Sequence, residues 1–337
     1  MFNVGPNFFA QAAGGGGGSL TGYLAWVGDT SPFLRLYDPA NGFAVHADPA
    51  SLPADAGYCA AFDDAQTMFA MGVATTPFFQ VYDTATLTKF ANPATLPADI
   101  RRGIAFSPDG QFLAMGGDSV PVLDIYTISG TTLTRLANPA VMPTGSVFDV
   151  AFSPDGAYLA VVHNTSPYLT VYSISGTTFT KLANPATLPD GNCQGVAFSP
   201  DGQYLAVTTD GSVGTNRFFN VYNWPAFTKR ANPAADLSNQ ARKLGFSPDS
   251  SQVAIANGSS PFLERYAIAA GTFTLQANPA VLPAGFARDA KYSRDGVYLA
   301  VAHSTTPFVT IYTVATMVKV ANPATLPPGT GRGVAWN

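Results

Sequence analysis

Charge is what this sequence of 337 residues lacks most. It has 17 Lys+Arg and 21 Asp+Glu, 11% of the chain, where a soluble domain carries about 25%. The net charge is −4, and nucleic acid is not an expected partner, because affinity for phosphate needs clustered Lys/Arg. Cysteine is almost missing. Cys59 and Cys193 are the only two, too few for a disulfide scaffold, and no Cys-x-x-Cys offers zinc a site. Long apolar runs are missing too: Gly, Pro, Asp or polar residues interrupt each one well short of about 18 residues, so no membrane insertion is expected. The first basic residue is Arg35, so the charged start of a secretory or transit signal peptide is not seen. Disorder does not follow from the low charge, since 47% of residues are hydrophobic, with 24 Phe and 14 Tyr.

What is present is a repeat. Asn-Pro-Ala recurs at Asn92, Asn138, Asn184, Asn232, Asn278 and Asn322, with Asp-Pro-Ala at Asp48, at spacings of 44, 46, 46, 48, 46 and 44 residues. A period of about 40–50 belongs to propeller blades or to helical arrays. The content of one period, residues 148–190, separates them. FDVAFSPDGAYLAVVH is two short apolar runs about a Ser-Pro-Asp-Gly break; SPYLTVYSI and TFTKLANPATLPD follow. Each run is short, rich in Val, Phe, Tyr and Thr, and bounded by Gly, Pro, Asn or Ser, which is strand chemistry. Helical repeats are excluded by Pro and Gly every ten residues or so. Ser-Pro-Asp-Gly reads as a hairpin turn: Pro presets φ, Asp suits the next position, and Gly takes the left-handed geometry. It recurs at Pro108, Pro154 and Pro200, and decays to Ser-Pro-Asp-Ser at Ser247, Ser-Arg-Asp-Gly at Ser293 and Asp63-Asp64 in the second period.

Four strands per period, a to d, and seven periods predict an all-β, seven-bladed β-propeller of four-stranded blades over residues 20–337. The pattern begins at strand b (Tyr23–Trp26) and ends at strand a (Gly333–Asn337). The C-terminal strand is therefore expected to pair into the first blade, bringing Trp26 and Trp336 together and removing two open sheet edges.

The pairing AFSPDG…LAV resembles WD-repeat and related propeller repeats. The Trp-Asp pair of that family is missing, and strand c ends in Tyr-Asp or Tyr-Ser, as at Tyr37-Asp38, Tyr82-Asp83 and Tyr172-Ser173. The tandem phrasing ANPATLP…GVAFSPDG…YLAV resembles propeller proteins encoded by tailed bacteriophages. That resemblance implies a non-enzymatic virion structural protein on the particle exterior, a tail appendage or tail fibre whose propeller is a head for host attachment by multivalent receptor binding, glycan or protein. A capsid decoration or head-fibre protein and a cellular protein-interaction scaffold are the alternatives.

The candidate residues are weighed against that frame. Lys89, Arg135, Lys181, Lys229 and Lys319 fall at matching places on strand d, where Lys blunts an exposed edge. His163 and His303 close strand b in blades 4 and 7, and His46 lies on strand d; no metal site is expected, since three or four ligands must converge. Cys59 and Cys193, in blades 2 and 5, read as buried thiols. Catalysis is not expected, because near-identical repeats imply a central channel lined uniformly by apolar residues, and no cofactor is expected. Residues just after NPATLP vary: Asp99-Ile100-Arg101, Gly145-Ser146-Val147, Gly191-Asn192-Cys193, Ser238-Asn239-Gln240 and Phe286-Ala287-Arg288. Variation on a uniform scaffold is where recognition is placed. The longest departure, Asp210–Arg217, supplies Asp210, Asn216 and Arg217 as a candidate contact loop.

Residues 1–19 stand outside the repeat. Phe2, Val4, Phe8 and Phe9 are read as an anchor into other virion proteins in a symmetric assembly of several copies, with Gly14–Gly18 as tether.

Overall fold

The computed structural model describes residues 22–211 and 218–337. The proposed anchor residues Phe2, Val4, Phe8 and Phe9, and the loop residues Asn216 and Arg217, lie outside the described residues.

Seven antiparallel sheets form the blades of a closed ring. The innermost strand a is Gly331–Trp336 in blade 1, then Gly57–Phe62, Arg101–Phe106, Val147–Phe152, Cys193–Phe198, Ala241–Phe246 and Ala287–Tyr292 in blades 2 to 7. Six blades have four strands. Blade 2 has three, and a single bridge between Tyr82 and Lys89 stands for its outer strand. The described residues contain one helical turn, Pro39–Asn41, and no helix long and apolar enough to cross a membrane.

The ring closes as the repeat requires. The C-terminal strand pairs with Leu24–Gly28, Leu24 facing Trp336 and Trp26 facing Val334. Gly22 N donates to the Asn337 carbonyl (3.1 Å) and Asn337 N to that of Tyr23 (2.9 Å). Blade 1 has the chain ends where other blades have an a–b turn. Arg294, from the turn of blade 7, reaches past it and donates to the Asp63 carbonyl of blade 2 at 2.6 Å.

The Ser-Pro-Asp-Gly turns keep one geometry. Ser Oγ donates to the Asp carboxylate and accepts the amide that opens strand b, as in Phe112 N to Ser107 Oγ at 2.9 Å. Gly110, Gly156 and Gly202 take φ +69°. In the decayed copies Ser250 and Gln66 stay in the same left-handed region, at φ +60° and +61°, and the Asp63 carboxylate receives the Thr67 and Met68 amides instead.

Strand c explains the Asn-Pro-Ala loops. Its tyrosines, Tyr37, Tyr82, Tyr126, Tyr172, Tyr222, Tyr266 and Tyr312, are almost wholly buried. Each phenol donates to a carbonyl in the loop entering its own blade: Tyr126 to Thr95, Tyr172 to Val141 and Tyr312 to Val281, each at 2.8 Å. Tyr37 makes the same bond to Thr325 across the seam, 288 residues away in sequence. The strand-d cations are also locally employed. Lys89, Arg135 and Lys181 donate to Asn92, Asn138 and Asn184, and Lys229 pairs with Asp190.

Blade 3 carries a buried ion network. The Asp124 carboxylate lies between Arg101 (3.1 Å) and Arg135, and the Arg101 and Asp124 side chains are fully buried. Removing one partner of such a pair leaves an uncompensated charge, at about 3–5 kcal/mol, whereas an apolar pair of similar shape is tolerated. Asp124→Ala is therefore expected to lower the urea midpoint strongly, and the double change Arg101→Met, Asp124→Leu to recover most of it; equilibrium unfolding followed by circular dichroism measures both.

Candidate functional site

Seven copies of strand a converge on the central axis, and each carries an irregularity near its start. Gly57 faces Val73 and Cys59 faces Gly72, so Tyr58 is left without a partner. The same skip isolates Arg102, Phe148, Gln194, Arg288 and Arg332, and in blade 6 it spans Arg242 and Lys243. A β-bulge turns the extra side chain away from the alternation of the strand. Here it turns seven into one ring at the channel mouth, around a cavity of about 160 Å³.

The ring is unlike its scaffold. It holds four arginines, two aromatics and one glutamine, so the expectation of a uniform, apolar channel is wrong at this end. Near-identity of the repeats holds for the residues that build the sheets and fails at the bulged position, which the sheets leave free. The arginines differ in how far they are neutralised. Arg102 makes a fork with Asp118 at 2.6–2.9 Å. Arg332 lies 3.8 Å from Asp29 and stacks on Tyr58 at 4.6 Å. Arg242 donates to the Gln194 side chain (3.1 Å). Arg288 has no carboxylate within ion-pair distance among the described residues, and its buried Nε has no hydrogen-bond partner. Arg242 and Arg288 both approach the Phe286 ring, each at 4.9 Å. Burial, then the charges of Arg332 and Arg242, push the Arg288 pKa down, but a guanidinium stays charged in proteins. An uncompensated, half-desolvated cation beside a cavity is a place for an anion.

Below the mouth the channel narrows. Strand a presents Cys59, Gly103, Asp149, Gly195, Lys243, Asp289 and Gly333 here. A β-carbon on Gly103 would stand 2.5 Å from Asp149 Cα, and one on Gly195 2.8 Å from Lys243 Cα, so these strands approach more closely than any side chain permits. Lys243 crosses the neck, donating to Asp149 (3.1 Å) and to the Arg102 carbonyl of blade 3 (2.9 Å). The Asp149 and Asp289 carboxylates accept the Val196 and Val334 amides, each at 3.3 Å. Burial raises the Asp289 pKa. Beyond the neck the channel opens into a second chamber of about 360 Å³ on the hairpin-turn face.

Of the residues singled out in the sequence, Arg288 lines the mouth, Arg101 is the buried partner of Asp124, and Asp210 borders the mouth through the side chains of Gln194 and Asn192. Arg102, Gln194, Arg242 and Arg332 were missed. The signal for three of them was in the sequence: Arg102 and Gln194 lie one residue beyond the variable stretches after NPATLP, and Arg242 two beyond. The cysteines are buried and free, and burial raises both thiol pKa values, that of Cys59 to about 11. His163 and His303 sit in blade interiors, bonded through Nε2 to Thr170 and Thr310. Among the described residues no cluster of three or more His, Cys, Asp or Glu could hold a metal.

Comparison with known proteins agrees with the architecture. A WD domain, G-beta repeat model matches residues 186–214, and no curated protein matches the sequence. Similar solved structures include Pseudomonas aeruginosa periplasmic gluconolactonase, 16% identical at a TM-score of 0.71, covering 93% of this chain and 98% of that one. A putative 6-phosphogluconolactonase from Bacteroides fragilis is 13% identical at 0.73, covering 94% and 98%. Kuenenia stuttgartiensis hydrazine synthase is 16% identical at 0.63, covering 77% and 76%. These likenesses show the fold. They also overturn the resemblance to tailed-bacteriophage propellers, and with it the virion, tail-fibre, capsid-decoration and scaffold readings and the exclusion of catalysis. The similar structures carry enzyme names, and the ANPATLP and SPDG phrasing that suggested phage proteins is accounted for by the tyrosine-to-loop bonds and turn geometry of these blades.

His163 and His303 make the fold sensitive to acid. Burial holds both rings at about 4, below the ordinary value near 6.5. The unfolded chain therefore binds more protons between these values. The stability from each histidine, on the order of 3 kcal/mol, is complete above about pH 6.5 and lost as pH falls toward 4. Urea midpoints measured from pH 7 to 4 should fall, and the His163→Gln, His303→Gln double variant should flatten that fall.

Proposed function

We propose that this chain is an enzyme of the lactone-hydrolysing kind, acting on a compact, hydroxylated anion held at the arginine mouth. The observation that carries the reading is Arg288: a half-buried guanidinium without a carboxylate partner, beside Arg242 and facing a cavity. An anionic group of the substrate sits against Arg288 and Arg242. Tyr58 and Phe148, on other blades of the same ring, each carry an arginine over one face, Arg332 at 4.6 Å and Arg102 at 5.8 Å, and the opposite face is the one left for a sugar-like ring. Water adds to the lactone carbonyl carbon, the ring C–O bond breaks, and the water proton ends on the released hydroxyl. The charge that develops on the carbonyl oxygen meets fixed cations, and one such donor is worth about 10²–10³ in rate. Two of the solved propellers of like fold are named for gluconolactone chemistry, which makes sugar-acid lactones the substrates to try first.

The test is hydrolysis of 6-phosphoglucono-δ-lactone above the spontaneous rate, with uncharged glucono-δ-lactone as the poorer comparison, and calorimetric binding of the product acids. Turnover is expected. Arg288→Ala should lower kcat/KM about 100-fold and weaken product binding about tenfold, and added salt should weaken binding further. Absence of turnover and of product binding, or indifference to both Arg288→Ala and Arg242→Ala, would overturn the assignment.

A further inference from the structure

The chamber on the hairpin-turn face has a composition of its own. The equivalent strand-a positions at this level are Ala61, Ala105, Ala151, Ala197, Gly245, Lys291 and Ala335 in blades 2 to 7 and 1, and all but Gly245 line the chamber. Six of the seven are methyl or hydrogen, which is why the channel widens here to about 360 Å³, within the range of small-molecule pockets. The seventh is a lysine. A β-carbon on Gly245 would come within 3.3 Å of Lys291 Cδ, so the smallest residue of the wall stands where the lysine stem needs room. The rim adds aromatic surface, including Phe106, Phe152 and Trp336.

The charges around Lys291 are unequally used. Lys243 and the Val196 amide take up Asp149. The Asp289 carboxylate accepts its own blade's Ala290 amide (2.9 Å) and the Val334 amide, and stands 3.9 Å from Lys291 Nζ, beyond hydrogen-bond distance. Lys291 Nζ donates one bond, to the Leu244 carbonyl at 2.8 Å. An ammonium has three donors, and the side chain is 32% exposed.

We propose that this chamber is a second binding site, separate from the arginine mouth, for a small amphipathic monocarboxylate. Its carboxylate takes the free donors of Lys291, and its apolar body lies on the alanine wall. The neck of Lys243, Asp149 and Asp289 keeps the two sites apart. The mouth, with four guanidiniums, suits a compact polar anion. The chamber has Lys243, Asp149 and Asp289 of the neck as its floor; Lys243 is engaged by Asp149, and Lys291 above its wall of methyl groups suits an anion with an apolar body.

The probe is 2-naphthoate, titrated calorimetrically into the full chain, with uncharged 2-naphthylmethanol beside it. Saturable binding of naphthoate is expected, with the alcohol about tenfold weaker or more. Lys291→Met should weaken naphthoate to the level of the alcohol. Ala151→Phe, which fills the chamber without touching a charge, should abolish binding of both, and circular dichroism establishes that each variant is folded. Arg288→Ala should leave naphthoate binding unchanged. No saturable binding, binding indifferent to Lys291→Met and Ala151→Phe, or binding lost on Arg288→Ala would each overturn the proposal. The last result would place the probe in the mouth and leave the lactone reading standing.

Discussion

The close approach of seven inner strands about one axis governs this molecule. At the neck the backbones are so near that three of seven positions are glycine, and the remaining space is filled by a cysteine, a lysine and two aspartates. Everything above and below follows from that constriction. On one side the bulges relieve the strands and throw seven side chains into the mouth. On the other, alanines let the wall recede. One tube thus becomes two chambers of opposite character, with a buried Lys243–Asp149 ion pair between them.

Holding strands at that distance requires blades that do not splay. The buried strand-c tyrosines serve this end, each tying its blade to the loop that enters it, and Tyr37 does so across the seam where the chain itself is interrupted. Arg294 spans the same seam on the opposite face. The repetitive part of the sequence is therefore the part that maintains the ring. It carries no information about chemistry, which is why a resemblance built on its phrasing pointed to the wrong class of protein.

Much of the architecture was legible because it rests on local chemistry. The turn residues around Pro108, Pro154 and Pro200 and the alternation of short apolar runs define strands, and the odd half-blades at the ends imply closure. The outer strand of blade 2 was not foreseen as a bridge, since Thr88-Lys89 differs little from its counterparts. The site was half legible. Variation after NPATLP marked the right stretch and included Arg288. Arg102, Gln194, Arg242 and Arg332 were passed over because, on a regular strand, alternate residues share a face, and nothing local announced that each strand slips by one residue at that point.

By itself the sequence determined the number of blades, their strand order and the manner of closure, because period, turn chemistry and strand length are properties of neighbouring residues. The tertiary structure alone decided which side chains meet at the axis. Arg102 and Arg332 are far apart in the chain, and they share a cavity only because the ring closes and seven bulges coincide in register around it. A charge without a partner, such as Arg288, is likewise visible only when every neighbour is in place.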